Sequence, residues 1–359
     1  MAQKQLLLPD GDYTPRLDEM MTMLAAVTTH EGACKLCKGL LGVTVSEHAV
    51  QDAVERRGEV LVRLDDEAAA QFVPWEANGL PRATGRPGEA AGKVPRVAYV
   101  EVDGVLPMTR ELDDERSQPV AGHRGGKGRR YKMEGKEVKN AVLYTGDACA
   151  EEGDGRGVVL EKKYVSFLGH WLGFAALLWM TMLTLRFDQA PILVILSDGA
   201  HWIRELAKWL PCPTILILDL FHVKHRVWEV ANALFGEQTS QARLWANTQC
   251  TFIERGEAWE VLATLKELQP RRSATRQLVK ELITYLTNNK DRMSYPEYRK
   301  KGYRVSSGSV ESANYHVTGA RLKQQGMRWS EKGAAEMARL RADLANDVWR
   351  KRTLQALAA

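Results

Sequence analysis

The chain has 359 residues, of which 45 % are hydrophobic and 26 % charged. These shares exclude a mainly disordered, collagen-like or coiled-coil chain, and the length suggests two or three domains. Net charge is +5, from 50 Lys and Arg against 45 Asp and Glu, a weak pointer to an anionic partner. Five scattered cysteines (Cys34, Cys37, Cys149, Cys212, Cys250) are too few for a disulfide scaffold and fit a reducing compartment. No basic stretch with an apolar run behind it opens the chain, so no signal peptide is expected and a cytoplasmic location is.

Residues 15–58 read as helices. Leu17, Met20, Met21 and Leu24 follow helical spacing. A second helix is expected from Glu31 to Leu40, broken by Gly42. Ser46 then caps a third helix containing Ala49, Val50, Ala53 and Val54. Helix, glycine turn and capped helix suit a helix-turn-helix, although small helical bundles share the pattern. Cys34 and Cys37 form a Cys-Lys-Leu-Cys pair with no second pair at zinc-site spacing. Residues 74–95 hold four Pro and four Gly and read as a linker.

Beyond the linker the pattern turns to β. Val97–Val102 is an apolar strand ending at Asp103-Gly104, and residues 139–145 and 164–168 are further strands. Residues 123–139 hold seven Lys or Arg and two Glu, a local excess equal to that of the whole chain. Arg129, Arg130 and Lys132 in that segment are candidate DNA contacts; a solvated loop is the plainer alternative. Leu168–Leu185 is apolar over nearly a membrane's thickness, but a helix buried against a sheet explains it better than a membrane span. A strand at 191–196 ends at Ser197-Asp198-Gly199. A helix at 202–210 and a strand at 214–218, ending at Asp219, come next. This is the pattern of a mixed α/β sheet. Residues 225–295 are helix-like, and their Trp228, Trp245 and Trp259 are expected in the core. Residues 298–304 add four basic side chains and two tyrosines, and a final helix starts near Ser309.

Asp103 and Asp198 each close a strand, and Glu311 opens a helix far downstream. Carboxylates at strand ends converge on one edge of an α/β sheet. Three such acids can hold two hard ions such as Mg²⁺, which together activate a water and stabilise the leaving oxygen of a phosphodiester. Taken singly, each acid has a plainer reading. Asp-Gly is a common turn, and an acid suits the start of any helix.

Three stretches resemble ISKra-type insertion-sequence transposases, bacterial enzymes of the Asp-Asp-Glu class. They are VAYVEVDGV (97–105), ILSDGAHWI (195–203) with ILDLFHVKHRVWEVA (217–231), and YRKKGYRVSSGSVESANYHVTGARLKQQGMRW (298–329). In the last, Gly308, Glu311, Arg321, Lys323, Gly326, Met327, Arg328 and Trp329 fall on the family pattern, whereas Ser306 or Ser307 stands where a Gly is usual. The similarity covers roughly residues 15–350. Family members often carry a cysteine-rich segment ahead of the helix-turn-helix, and this chain starts after it, as a short or truncated form would.

The resemblance implies an RNase H-like catalytic core of the Mutator-like kind, with a helical insertion before the final Glu. It implies that Asp103, Asp198 and Glu311 are the catalytic triad and the ligands of two Mg²⁺ or Mn²⁺ ions. Asp219 and His222 would support the metal site or the DNA strand, and Arg321, Lys323 and Arg328 would contact DNA phosphates. The expected organisation is a helix-turn-helix domain at 1–60 and a linker at 61–95. A core at 96–224, a helical insertion at 225–304 and the rest of the core at 305–359 complete it. The partners implied are element terminal inverted repeats, target DNA, and a second copy of the chain in a dimer or larger assembly. The helix from Ser46 to Arg57 would read the repeats in the major groove. An RNase H-like nuclease without strand transfer, and an inactive transposase-derived DNA-binding protein, are the alternatives.

Overall fold

The computed structural model describes residues 13–71, 92–112, 131–151 and 157–358. At the N-terminus, α1 (Pro15–Val27), α2 (His30–Leu36) and α3 (Glu47–Ala70) each begin at a hydroxyl cap. Thr14, Thr29 and Ser46 accept hydrogen bonds from the backbone N–H groups of Leu17, Gly32 and Ala49. A wider turn, Cys37–Leu41, prolongs α2 until Gly42 breaks it in the left-handed region at φ +68°.

The third helix differs from expectation in two ways. It runs to Ala70, ten residues into the expected linker, because Leu61 and Ala69 continue the buried stripe begun by Val50, Ala53 and Val54. Its exposed side carries Glu47, Asp52, Glu55 and Glu59, and Arg57 at its expected reading end is buried. Arg57 donates to Thr353 and lies 3.5 Å from Asp18. Arg56 and Arg63 are exposed on the same helix, so its outer face is mainly acidic with two basic side chains interspersed.

Nine strands follow: β1 (Val97–Val105), β2 (Met108–Leu112), β3 (Tyr131–Gly135), β4 (Val138–Thr145), β5 (Cys149–Glu151), β6 (Gly157–Val159), β7 (Lys163–Leu168), β8 (Ile192–Ser197) and β9 (Thr214–Leu218). Five of them form one mixed sheet in the order β7-β4-β1-β8-β9. Strand β4 runs antiparallel to both β1 and β7, whereas β8 is parallel to β1 and to β9. The short pairs β2–β3 and β5–β6 stand apart from it.

Alternation along β1 sends Ala98, Val100 and Val102 to one face and Tyr99, Glu101 and Asp103 to the other. On the first face α4 (Trp171–Thr184) and α5 (His201–Trp209) bury Phe174, Leu178, Met182 and Leu206 against the sheet. The apolar run 168–185 is therefore the end of β7 followed by a 14-residue buried helix. Among the described residues no helix is long and apolar enough to cross a membrane.

The second face receives α6 (Leu220–Phe235) and, beyond it, the helices α7 (Ser240–Glu254), α8 (Ala258–Glu267), α9 (Ser273–Asn289) and α10 (Tyr295–Lys300). The expected helical stretch is thus helical throughout. Trp228 and Trp245 pack against its core, but Trp259 is 64 % exposed and is not a core residue. The chain then returns to the sheet through α11 (Gly308–Ala313), which runs on through a wide turn at Asn314–Gly319. Last come α12 (Glu331–Ala345) and α13 (Trp349–Ala358). They share a third core with α1–α3 that reaches Val138 and Leu168 of the sheet.

Candidate metal centre

Asp103 lies near the carboxyl end of β1. Val102 pairs with Ser197 on parallel β8, so Asp103 and Asp198 come next at the same level on neighbouring strands. Asp219 ends β9 by capping α6: its Oδ1 accepts from the Phe221 N–H at 2.8 Å. That cap sets His222 in the first turn of α6, facing the same edge, and α11 brings in Glu311.

One ligand atom each from Asp103, His222 and Glu311 lie within 4.8 Å of one another. His222 Nε2 is 2.8 Å from Glu311 Oε1 and 3.7 Å from Asp219 Oδ2. The 2.8 Å approach lacks the alignment of a hydrogen bond, and this nitrogen is buried with no hydrogen-bond partner. An N–O spacing of that size is what two ligands give when bound at right angles to one ion, each about 2.1 Å from it. Two carboxylates and an imidazole suit Mn²⁺ or Zn²⁺ as well as Mg²⁺. The residues present therefore fit a divalent ion.

The electrostatics agree. Burial, together with the negative charges of Asp198 and Glu311, pushes the Asp103 carboxyl up to about 6, against the opposing pull of the Gly104 N–H and His222. None of the strongest influences on Asp103 is a Lys or Arg. A bound cation would supply the missing positive charge.

Asp198 stands outside this trio. Its Oδ1 accepts from the Ala200 N–H at 3.0 Å, and its turn is held from the helical insertion. Tyr285 OH donates to the Asp198 carbonyl at 2.8 Å, and Arg292 donates to the Gly199 carbonyl. Gly199 adopts φ +94°, and a Cβ there would come within 2.8 Å of Leu218, so the turn demands glycine. The structure thus gathers two of the three expected acids, places the third on the adjacent strand end, and puts His222 inside the cluster rather than behind it.

Two residues that sequence reasoning missed orient Asp103. Asn314, three residues after Glu311 and so on the same side of the helix, donates its side-chain amide to Asp103. Asn140, paired with Asp103 across β1 and β4, donates to Asn314 at 2.7 Å. Ser166 and Thr318 donate in turn to Asn140. The available signal was a polar Asn in an otherwise apolar strand. Ser307, one of the two serines at the departure from the family pattern, has a definite contact: its hydroxyl donates to Asp219.

The expected DNA contacts divide. Lys132, Lys323 and Arg328 are exposed, whereas Arg129 and Arg130 lie outside the described residues. Arg321 is a correction. It is 1 % exposed, donates from Nε to the Ala25 carbonyl at 2.7 Å, and stacks 4.6 Å over Trp329. Burial and the nearby Arg341 pull its guanidinium down to about 10. It joins the N-terminal helices to the core and cannot reach a phosphate.

A model of the uncharacterised protein family UPF0236 matches residues 170–355, more than half of the chain. The chain belongs to this family. Similar UPF0236 proteins occur in Caldanaerobacter subterraneus subsp. tengcongensis. Two of them are each 23 % identical over 357 residues, covering 96 % of this chain. A third is 24 % identical over 234 residues. The chain spans 66 % and 62 % of the lengths of the first two relatives. Family members' names join several locus labels under one protein, four in one case and eleven in another. The family match begins at His170, so it takes in Asp198, His222 and Glu311 but not Asp103.

Proposed function

We propose that this protein is a DNA transposase of the Asp-Asp-Glu class, with an RNase H-like core that holds divalent cations at Asp103, Glu311 and His222, assisted by Asp198. The observation that carries the reading is the convergence of these side chains, from four separate elements, on one edge of a mixed sheet. The helical segment between β9 and α11 supports it too, since the resembled transposases carry an insertion before their final Glu. The relatives' multiple locus labels are what an element that copies itself within a genome leaves behind.

A bound Mg²⁺ or Mn²⁺ supplies an activated water and neutralises charge on the phosphodiester. The chain's own residues do the placing. Asp103 and Glu311 offer carboxylate oxygens, His222 a ring nitrogen, and Asn314 fixes the Asp103 carboxylate. Strand cleavage at an element end frees a 3′-OH, which then attacks target DNA at the same site, so no protein nucleophile is required. Exposed Lys132, Lys323 and Arg328 hold the DNA by its phosphates, giving affinity and salt dependence rather than sequence choice. Joining two ends calls for a dimer or larger assembly.

The test is strand cleavage and joining on labelled element-end DNA with Mg²⁺ or Mn²⁺, comparing wild type with Glu311→Gln. Cleaved and joined products from wild type alone are expected. Binding with no product from either protein would sink the enzymatic reading and leave a DNA-binding protein.

A further inference from the structure

Glu101 is fully buried in the middle of β1, two residues before Asp103 and on the same face. A carboxylate there is expensive unless each oxygen is satisfied. Both are. Tyr144 OH donates to Oε1 at 2.6 Å, and the backbone N–H of Val310 donates to Oε2 at 2.8 Å. Tyr144 is held by its stacking on Tyr99, its partner across the strands, with ring centroids 5.1 Å apart.

The Val310 contact stands out because of where Val310 sits. It lies in the first turn of α11, immediately before Glu311. The first backbone N–H groups of a helix need outside acceptors, usually the side chain of the capping residue. Ser307 occupies the cap position, but its hydroxyl donates to Asp219 and makes no cap bond. An acid from a strand 209 residues earlier does the capping instead. The returning chain is pinned at further points just upstream. Leu220 N–H donates to the Val305 carbonyl at 2.9 Å, and Arg304 N–H reaches the Tyr99 hydroxyl at 3.4 Å.

We propose that Glu101 is the positioning residue for Glu311: by capping α11 from β1, it makes the strand that carries Asp103 also set where Glu311 sits. This rests on the metal-centre reading above. Glu101 touches no substrate and offers no ligand atom to the site. It fixes the relative placement of two acids that are separated by the whole helical insertion.

The test is Mn²⁺ binding to the full chain without DNA, by calorimetry, with the melting temperature of every variant recorded. Glu101→Leu removes the acceptor and is expected to weaken Mn²⁺ binding at least about tenfold, the usual loss when a group supporting a metal ligand is removed. Glu101→Gln keeps a carbonyl for Val310 and turns an N–H₂ toward Tyr144, so it should bind Mn²⁺ within about threefold of wild type. Rescue by Gln separates a hydrogen-bonded tether from a mere need for bulk or charge. Wild-type affinity in a folded Glu101→Leu protein, or equal losses in Leu and Gln, would overturn the proposal. Should Glu101→Leu not fold, Tyr144→Phe decides. It frees Glu101 to turn away and should weaken Mn²⁺ about threefold or more, and unchanged affinity counts against the tether. If wild type binds no Mn²⁺, or Asp103→Asn and Glu311→Gln bind as well as wild type, the metal-centre reading fails and takes the tether with it.

Discussion

The seam between α3, α12 and α13 and the carboxyl edge of the sheet both bury acids, but they treat them differently. In the seam, Arg339 donates to Asp65 at 3.1 Å and reaches Asp66, while Arg352 binds Asp65 and lies 3.2 Å from Asp343. At the sheet edge, burial and the negative charges of Asp198 and Glu311 raise the proton affinity of Asp103 against the pull of the Gly104 N–H and His222. Paired burial joins elements. Unpaired burial of like charges costs stability and persists where a cation or a reaction needs it. The contrast separates structural charge from functional charge better than the residue types do, since both places use Asp.

Substitutions should split along that line. At the site, Asp103→Asn is expected to abolish strand cleavage, by at least about a thousandfold, while leaving the melting temperature unchanged or higher because repulsion is relieved. A large loss of stability instead would make the acid structural. In the seam the order reverses. Arg339→Ala should cost about 1–3 kcal/mol in denaturant unfolding, because a buried guanidinium that binds Asp65 is lost while Arg352 still pairs with that acid.

Glu336 tests the comparison from between the two. It is buried in α12, 3.8 Å from Lys332, and neither carboxylate oxygen has a hydrogen-bond partner. Burial, with Glu55 and Glu59 nearby, pushes it up to about 7. The folded state therefore holds this proton more tightly than the unfolded chain does. Its contribution favours folding at low pH and is lost as pH rises from about 4.5 through about 7. Glu336→Gln should raise stability at pH 8 by on the order of 1–3 kcal/mol and leave it nearly unchanged at pH 4.5, as urea melts at the two pH values would show. The smallest effects belong to the surface. Lys323→Ala and Arg328→Ala should each lower the salt slope of DNA binding by about one, whereas Arg321→Met should lower stability and leave that slope alone.

Much of this architecture was legible in the chain. The apolar runs ending in Asp103, Asp198 and Asp219 are strands, and most of the run 168–185 is a buried helix, Trp171–Thr184, because its apolar residues cover every side. Local signals carry that far. What they do not carry is pairing between distant segments. Arg321 looks like a phosphate contact until α1 is seen to cover it through the Ala25 carbonyl. His222 looks like a helper until Asp219 caps α6 and turns it toward Glu311.

The backbone of Trp329 carries one more consequence. Its carbonyl accepts from Arg110 N–H at 2.7 Å and its N–H donates to the Met108 carbonyl at 3.1 Å, so β2, already paired with β3, gains a second neighbour from a segment over 200 residues later. The helices at the start of the chain likewise complete their core only with α12 and α13. During synthesis, then, the N-terminal helices wait with apolar surface uncovered until α12 and α13 have been made. A fragment that stops before α12 would expose that surface and be prone to aggregate.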